Sequence, residues 1–337
     1  MKGGKRLPPP AGVVSAAKPM MNKAHTPSIP DTLMGVLPEL ALFARRVQLP
    51  QAQLTLFLYD SGEVVRGDVP LLLVHGLGDE ADTWRRVLPA LAVQRRVLAV
   101  DLPGFGRSDK PEAPYTVPWY AGVLLELLDV LQIERCVGGG HSLGAMVVQW
   151  LALEAPSRVE RLWLLAGGVV AGEQRGSLAA LLLRLPGIGE WWYGRLRQNP
   201  QAAYESLRPF YRDLDGLPQD ERDFLYRRVN ERVQSKKQQR AFLRTLRSLA
   251  TWLPAQQKGL AERLAGCTIP TSVLWGEQDI LAPLENGRAL AALLPHAHLT
   301  LLAGAGHNFQ QEEPGAVIAA FSDQLSAEPG QRPELPS

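Results

Sequence analysis

A chain of 337 residues, 46% of them hydrophobic, can bury a large core and lies within reach of one α/β domain carrying an insertion. Its formal net charge of +2 provides no electrostatic footprint for nucleic acid or a strongly acidic partner. No apolar run reaches the ~18 residues of a membrane-spanning helix. The two cysteines, Cys136 and Cys267, match no metal or redox spacing. They are expected to be buried small hydrophobes, which suits a reducing compartment and a cytoplasmic location.

Residues 1–32 carry Lys2, Lys5, Arg6, Lys18 and Lys23 among many prolines, without the continuous apolar stretch of a secretory signal. They are expected to form a disordered basic tail, as is the short segment 329–337. An amphipathic helix is expected over 33–43, followed by edge strands at 45–49 and 54–59. Short apolar runs then recur at 71–74, 97–100, 135–139, 161–165, 272–275 and 298–302. They are too short for helices and do not alternate, the pattern of strands buried on both faces of a parallel sheet. Helical periodicity fills the gaps at 81–92, 117–131, 143–153, 284–294 and 314–325. This alternation predicts an α/β fold with a mostly parallel eight-stranded sheet, helices on both faces, and chemistry at the carboxyl ends of the strands.

The rhythm breaks once. From 172 to 266 only helix-like stretches occur, at 178–185, 201–211, 221–233 and 239–251. The expected organisation is therefore a core of residues 33–171 and 267–328 with a helical cap, 172–266, inserted after the sixth strand.

The sharpest motif is Gly140-His141-Ser142-Leu143-Gly144, which follows the 135–139 strand and opens the 143–153 helix. A turn this tight strains the serine backbone, and flanking Cβ atoms would collide with the neighbouring strand and helix. It lifts the hydroxyl above the sheet and directs a helix N-terminus at the reaction centre, where developing negative charge is favoured. Ser142 is the expected nucleophile.

With this motif in its strand–turn–helix context, the chain resembles the α/β-hydrolases, and four further segments match in the family's order. His75-Gly76-Leu77-Gly78-Asp79 follows the 71–74 strand, and the resemblance assigns oxyanion-hole amides to Leu77 and Leu143. His75 is expected to brace its loop. Asp101-Leu102-Pro103-Gly104-Phe105-Gly106-Arg107-Ser108-Asp109 resembles the family's D-x-P-G-x-G-x-S-D loop, whose role is architectural. Trp275-Gly276-Glu277-Gln278-Asp279 places the family's acid at Asp279. Glu277 is the nearest rival carboxylate, and the G-x-x-D spacing favours Asp279. Gly304-Ala305-Gly306-His307-Asn308 puts a histidine on a glycine-rich loop past the last strand, where a neutral imidazole can take and return the serine proton. The order Ser142, Asp279, His307 is that of the fold. His141 is expected to pack beside the elbow, His296 and His298 to sit at a strand start, and His25 in the tail.

The resemblance implies acyl transfer by a serine hydrolase, with a small or lipid-like carboxylic ester as expected substrate and no metal or organic cofactor. A serine at the elbow argues against the branches that use a carboxylate there. C–C bond hydrolysis remains open, although that branch usually has Trp after its histidine where this chain has Asn308. Perhydrolase, haloperoxidase and acyltransferase chemistry share the triad, and a non-enzymatic ligand binder is the rival from another class. Leucines and the aromatic run Trp191-Trp192-Tyr193 suggest an apolar acyl or alkyl group, or simply the cap's own core. The basic excess between Arg184 and Arg247 admits peripheral membrane contact, with a solvated helix face the simpler expectation.

Overall fold

A computed structural model of the chain describes residues 34–62, 69–170 and 185–326, together with Met1. Apart from Met1, the expected tails at 1–32 and 329–337 lie outside those residues, as does most of the apolar stretch 178–185.

Eight strands form one sheet: β1 (Ala44–Leu49), β2 (Leu54–Asp60), β3 (Leu71–Val74), β4 (Val97–Val100), β5 (Cys136–His141), β6 (Val159–Leu165), β7 (Thr271–Gly276) and β8 (Ala297–Leu302). Their spatial order is β1-β2-β4-β3-β5-β6-β7-β8. β2 runs antiparallel to both β1 and β4. Every other pairing is parallel. Of the two strands expected at an edge, only β1 lies at one; β2 is interior, which matches its nearly continuous burial.

Alternate residues of each strand enter different cores, as the two-residue strand period requires. Leu72, Val74, Leu98 and Val100 face a core shared with the Val117–Val130, Leu143–Glu154 and Leu284–Leu293 helices. Leu71, Leu73, Val97 and Ala99 face another, shared with the Leu88–Ala92 and Pro314–Ser326 helices. Helices thus cover both faces of the sheet.

Three expected helices are shorter than their apolar periodicity suggests, and each contains a proline. The 81–92 stretch divides into a 3-10 turn, Ala81–Trp84, and the Leu88–Ala92 helix, with Pro89 in the first turn of the latter. The 201–211 stretch divides into Pro200–Glu205 and a 3-10 turn at Arg208–Phe210 that holds Pro209. The 33–43 stretch is a 3-10 helix only from Pro38. Proline lacks the N–H needed to continue a preceding turn, but suits the start of a new one. Between β6 and β7 the described residues form the Ile188–Gln198, Pro200–Glu205, Gln219–Gln234, Lys236–Gln256 and Leu260–Ala265 helices.

The register brings the carboxyl ends of β3 and β5 side by side, with Val74 paired to Gly140. At that junction a Cβ on Gly140 would run into the Gly144 carbonyl, and one on Gly144 into the Val74 carbonyl. Gly140→Ala should therefore cost about 3 kcal/mol or more and leave little folded protein. Gly122, exposed in the Val117–Val130 helix with open space around it, is the contrasting case. Gly122→Ala should stabilise by about 0.5–1 kcal/mol through helix propensity. Urea melts of the two variants check both signs.

Candidate active site

β5 ends at His141, and the next residue, Ser142, takes φ 53° and ψ −113° before the Leu143–Glu154 helix begins. Such a conformation costs a non-glycine residue about 1–3 kcal/mol unless its surroundings enforce it. Here they do. Ser142 N–H donates to the Leu165 carbonyl at the end of β6 (2.8 Å), and the Ser142 carbonyl accepts from Ala145 N–H (3.1 Å) and Met146 N–H (3.3 Å). The serine is only partly buried, so its hydroxyl stands where a ligand can meet it.

Asp279 and His307 come from the loops after β7 and β8. His307 Nδ1 lies 2.7 Å from Asp279 Oδ2. The other oxygen, Oδ1, accepts from Leu281 N–H (2.9 Å) and Ala282 N–H (2.8 Å). A carboxylate held on both oxygens cannot rotate away, and as an acceptor it fixes the proton on Nδ1, leaving the Nε2 lone pair free. Asp279 is buried, whereas Glu277 is exposed, so the structure brings the former to the histidine and leaves the latter in solvent. His307 also lies beside the elbow, its ring centroid 4.8 Å from that of His141.

The loop after β3 is braced by His75, which is fully buried. Its Nε2 accepts from Leu102 N–H (2.9 Å), so the ring proton sits on Nδ1 and is donated to the Gly76 carbonyl (2.7 Å). Burial lowers the basicity of His75 below the ordinary histidine range, which keeps this tautomer neutral. Because the Gly76 carbonyl and the Leu77 N–H belong to one planar peptide, holding the first aims the second. The 101–109 loop is built around Asp101, which accepts from Ala81 N–H (2.7 Å) and from Arg107 N–H (2.6 Å), Nε (2.8 Å) and Nη2 (3.0 Å). Burial alone would raise the Asp101 carboxyl; the Arg107 guanidinium outweighs it and holds the group below the usual carboxylate range.

The sequence matches the family model described as alpha/beta hydrolase fold over residues 69–314. The chain belongs to the α/β-hydrolase family. An uncharacterized protein of Mycobacterium tuberculosis (strain ATCC 25618 / H37Rv) is 33% identical over 264 residues, 74% of this chain and 72% of that protein. The 2-hydroxy-6-oxononadienedioate/2-hydroxy-6-oxononatrienedioate hydrolase of Cupriavidus pinatubonensis (strain JMP 134 / LMG 1197) is 29% identical over 266 residues, 77% of this chain and 87% of that enzyme. Among solved structures, 2-hydroxy-6-oxo-6-phenylhexa-2,4-dienoate hydrolase from Rhodococcus sp. strain RHA1 superposes with a TM-score of 0.68 at 24% identity, covering 84% of this chain and all of that one, a likeness of fold.

This α/β-hydrolase also places at the site residues that carry no motif. Glu312, whose carboxyl is raised by burial, accepts from Gly306 N–H (3.0 Å) and from Arg212 N–H (2.6 Å), tying the histidine loop to the helical segment between β6 and β7. Phe210, from the same segment, accepts from Asn308 N–H (2.8 Å) and sets its ring 6.0 Å from that of His307. Phe242 packs so closely on Gly78 that a Cβ there would meet its ring at 2.9 Å. The aromatic run divides. Tyr193 is buried against Phe242 (5.3 Å between centroids), while Trp191 and Trp192 line a groove of about 440 Å³ with Arg195, Leu196 and Asn199, a lining that includes none of Ser142, Asp279 and His307.

Arg232 reaches from the Gln219–Gln234 helix to both acids that follow Gly78. It pairs with Asp79 and, at 2.6 Å through two nitrogens, with Glu80. One guanidinium serves two carboxylates, Glu80 buried and Asp79 partly so. Burial, abetted by Asp79 and Asp82, pushes Glu80 up to about 7 against the pull of Arg232, while Arg232 keeps Asp79 low despite its burial. A carboxyl whose folded pKa exceeds its ordinary 4.5 binds its proton more tightly when folded, so it contributes stability at low pH that is lost as pH rises towards 7. The melting temperature should decline between about pH 5 and pH 7.5 by this contribution, and Glu80→Gln should flatten that decline. Parallel thermal melts across the range measure it.

Proposed function

We propose that this α/β-hydrolase cleaves a small or lipid-like carboxylic ester through an acyl-enzyme on Ser142, with His307 as general base and acid and Asp279 as the orienting carboxylate. The observation that carries the proposal is the buried His307–Asp279 pair at 2.7 Å, with the His307 ring 4.8 Å from that of His141, the residue before a partly exposed serine in a strained elbow.

In the first half-reaction His307 Nε2 takes the Ser142 Oγ proton as Oγ bonds to the ester carbon. The carbonyl π electrons move onto oxygen, which faces the Leu77 and Leu143 N–H groups. Donors of this kind contribute about 3–4 kcal/mol each to the transition state. The C–O bond then breaks and the alkoxide takes the proton from His307. In the second half-reaction water loses a proton to the same nitrogen, attacks the acyl carbon, and Ser142 Oγ leaves with that proton. Asp279 remains ionised throughout and stabilises the imidazolium.

The described helices between β6 and β7 act as a cap. Phe242 against Gly78, Leu77 and Phe210 beside His307 supply apolar surface for an acyl or alkyl group. Both cysteines are buried thiols, in keeping with a reducing, cytoplasmic setting. A second reading, C–C hydrolysis, is favoured by the 29% identity to a dienedioate hydrolase. Against it stand Asn308 in place of the usual Trp and the engagement of Arg232 with Asp79 and Glu80, since a dienoate carboxylate calls for an uncommitted cation.

A fluorophosphonate probe should label the wild type rapidly and Ser142→Ala not at all; an unlabelled but folded wild type points to a ligand binder instead. Asp279→Asn should lower kcat by about 10⁴-fold through loss of the correct tautomer. In an initial-rate screen, p-nitrophenyl esters of increasing chain length should be turned over well above a vinylogous diketone acid. The reverse order selects the C–C reading.

A further inference from the structure

His141 occupies the variable position of the nucleophile elbow, yet its ring makes the contacts of a part with a purpose. It is buried. Nε2 lies 3.0 Å from the backbone carbonyl of His307, and a carbonyl only accepts, so Nε2 carries the ring proton. Nδ1 is buried without a hydrogen-bond partner and faces Gly76, where a Cβ would meet it at 3.1 Å. The ring therefore touches three loops at once: the elbow that bears it, the loop after β3 that begins the oxyanion site, and the loop after β8 that bears His307. Phe309 closes the far side, ring edge to ring face at 6.4 Å.

We propose that His141 is a positioning residue that holds the main chain of His307, and so sets the height of the His307 imidazole over Ser142, through the Nε2–H to carbonyl hydrogen bond. The proposal rests on the assignment of His307 as the base. Asp279 fixes the ring of His307 about its own axis through Nδ1, but a side-chain bond cannot stop the whole loop from lifting. The loop after β8 is rich in glycine, with Gly304 at φ 68° and Gly306 beside the histidine, so its main chain needs an external tie. Glu312 holds the Gly306 N–H, Phe210 holds the Asn308 N–H, and His141 holds the His307 carbonyl. Of the three ties, only the last comes from the element that also bears the nucleophile. It fixes the distance between the two reacting groups directly.

The chemistry of imidazole suits this task. Burial, with His307 adding to it, pushes His141 down to about 3, so the ring stays neutral while His307 gains and loses its proton 4.8 Å away. A permanently charged donor such as Lys or Arg would repel the imidazolium that forms during catalysis. A leucine or phenylalanine of similar bulk would fill the space and leave the carbonyl untethered.

The test compares His141→Phe, which keeps a buried ring without a donor, with His141→Gln, whose amide donates at the same reach. Thermal melts are recorded alongside, and His307→Ala is run in parallel. With a p-nitrophenyl ester, His141→Phe should lose about 10–100-fold in kcat at nearly unchanged KM, the loss that a misplacement of about 1 Å produces. His141→Gln should recover to within about threefold of wild type, and fluorophosphonate labelling rates should follow the same order. Equal loss in the two variants, or a loss confined to KM, overturns the proposal and leaves His307 as base untouched. An active His307→Ala overturns the base assignment and this proposal with it. Should His141→Phe fail to fold, the wild type still decides the matter. Ring ¹⁵N shifts near pH 7 should show His141 protonated at Nε2 and bare at Nδ1, and a proton on Nδ1 excludes the tie.

Discussion

Ser142 is held at φ 53°, and the rest of the site is arranged to keep it there. The strain is of order 1–3 kcal/mol, a sizeable fraction of the 5–15 kcal/mol that separates folded from unfolded chains, so it persists only if relaxation is blocked. The block is steric and lies on both sides of the serine. Upstream, β5 is wedged between β3 and β6 with every residue buried. Downstream, the helix from Leu143 through Ala152 is also entirely buried. Gly140 and Gly144 allow the helix to sit against the strand at backbone distance, so the turn has no slack through which to unwind. The elbow is thus a product of the central sheet, and the hydroxyl inherits the rigidity of the core.

Around this fixed point the fold gathers loops from β3, β4, β7 and β8, tied by hydrogen bonds that cross long stretches of sequence. His75 joins the β3 and β4 loops, Asp279 joins those of β7 and β8, and His141 joins β5 to β8. Behind the β3 loop lies a buried ionic cluster. Arg107 bonds Asp101 and Asp82, stacks 4.0 Å over Phe57, and shares Asp82 with Arg228, 2.6 Å away, and with Tyr59. Burying so many charges is costly, and such pairs often contribute little net stability relative to an apolar core. What they contribute is geometric. Glu80 and Asp82 lie just beyond Gly78 in the loop after β3, and Arg228 and Arg232 come from a helix about 150 residues later. The cluster therefore fixes that helix and that loop to each other in one arrangement.

How much of this was legible in the residues divides along the line between local and long-range causes. Strands β3 to β7 were readable because strands buried on both faces appear as apolar runs, and the elbow because its glycines answer a steric demand within five residues; β8 was found by its apolar residues too, but it lies at the sheet edge and is mostly half-buried rather than covered on both faces. The helices misjudged at Pro38, Pro89 and Pro209 kept an apolar periodicity that the missing N–H overrode. Pro254 is the converse: it lies inside the last turn of the Lys236–Gln256 helix, beyond the 239–251 stretch expected from periodicity. Glu312, Phe210, Phe242 and Arg232 were out of reach for another reason. Each acts across about a hundred residues or more, or from a helix without a motif, and no pattern in the chain announces its partner. His141 was visible in the motif, but the role proposed for it depends on its contact with the His307 carbonyl, which no sequence pattern announces.

The inserted helices raise the question of whether substrate choice and chemistry are separable here. Ser142, Asp279 and His307 all project from strand ends of the sheet, so the proposed triad takes no member from the described residues between β6 and β7. The supports of the triad do. The Phe210 carbonyl accepts from Asn308 N–H, the Arg212 N–H donates to Glu312, whose other carboxylate oxygen holds Gly306 N–H, and Arg232 grips the acids beside Leu77. A change in the inserted helices that widened the apolar surface near Phe210 or Phe242 would therefore also move the supports of the proposed base or of the loop after β3. An imidazole displaced by about 1 Å loses about as much rate as a removed hydrogen bond. On the proposed reading, selectivity and turnover are mechanically linked, and the residues that link them are those joining the helical segment to the loops after β3 and β8.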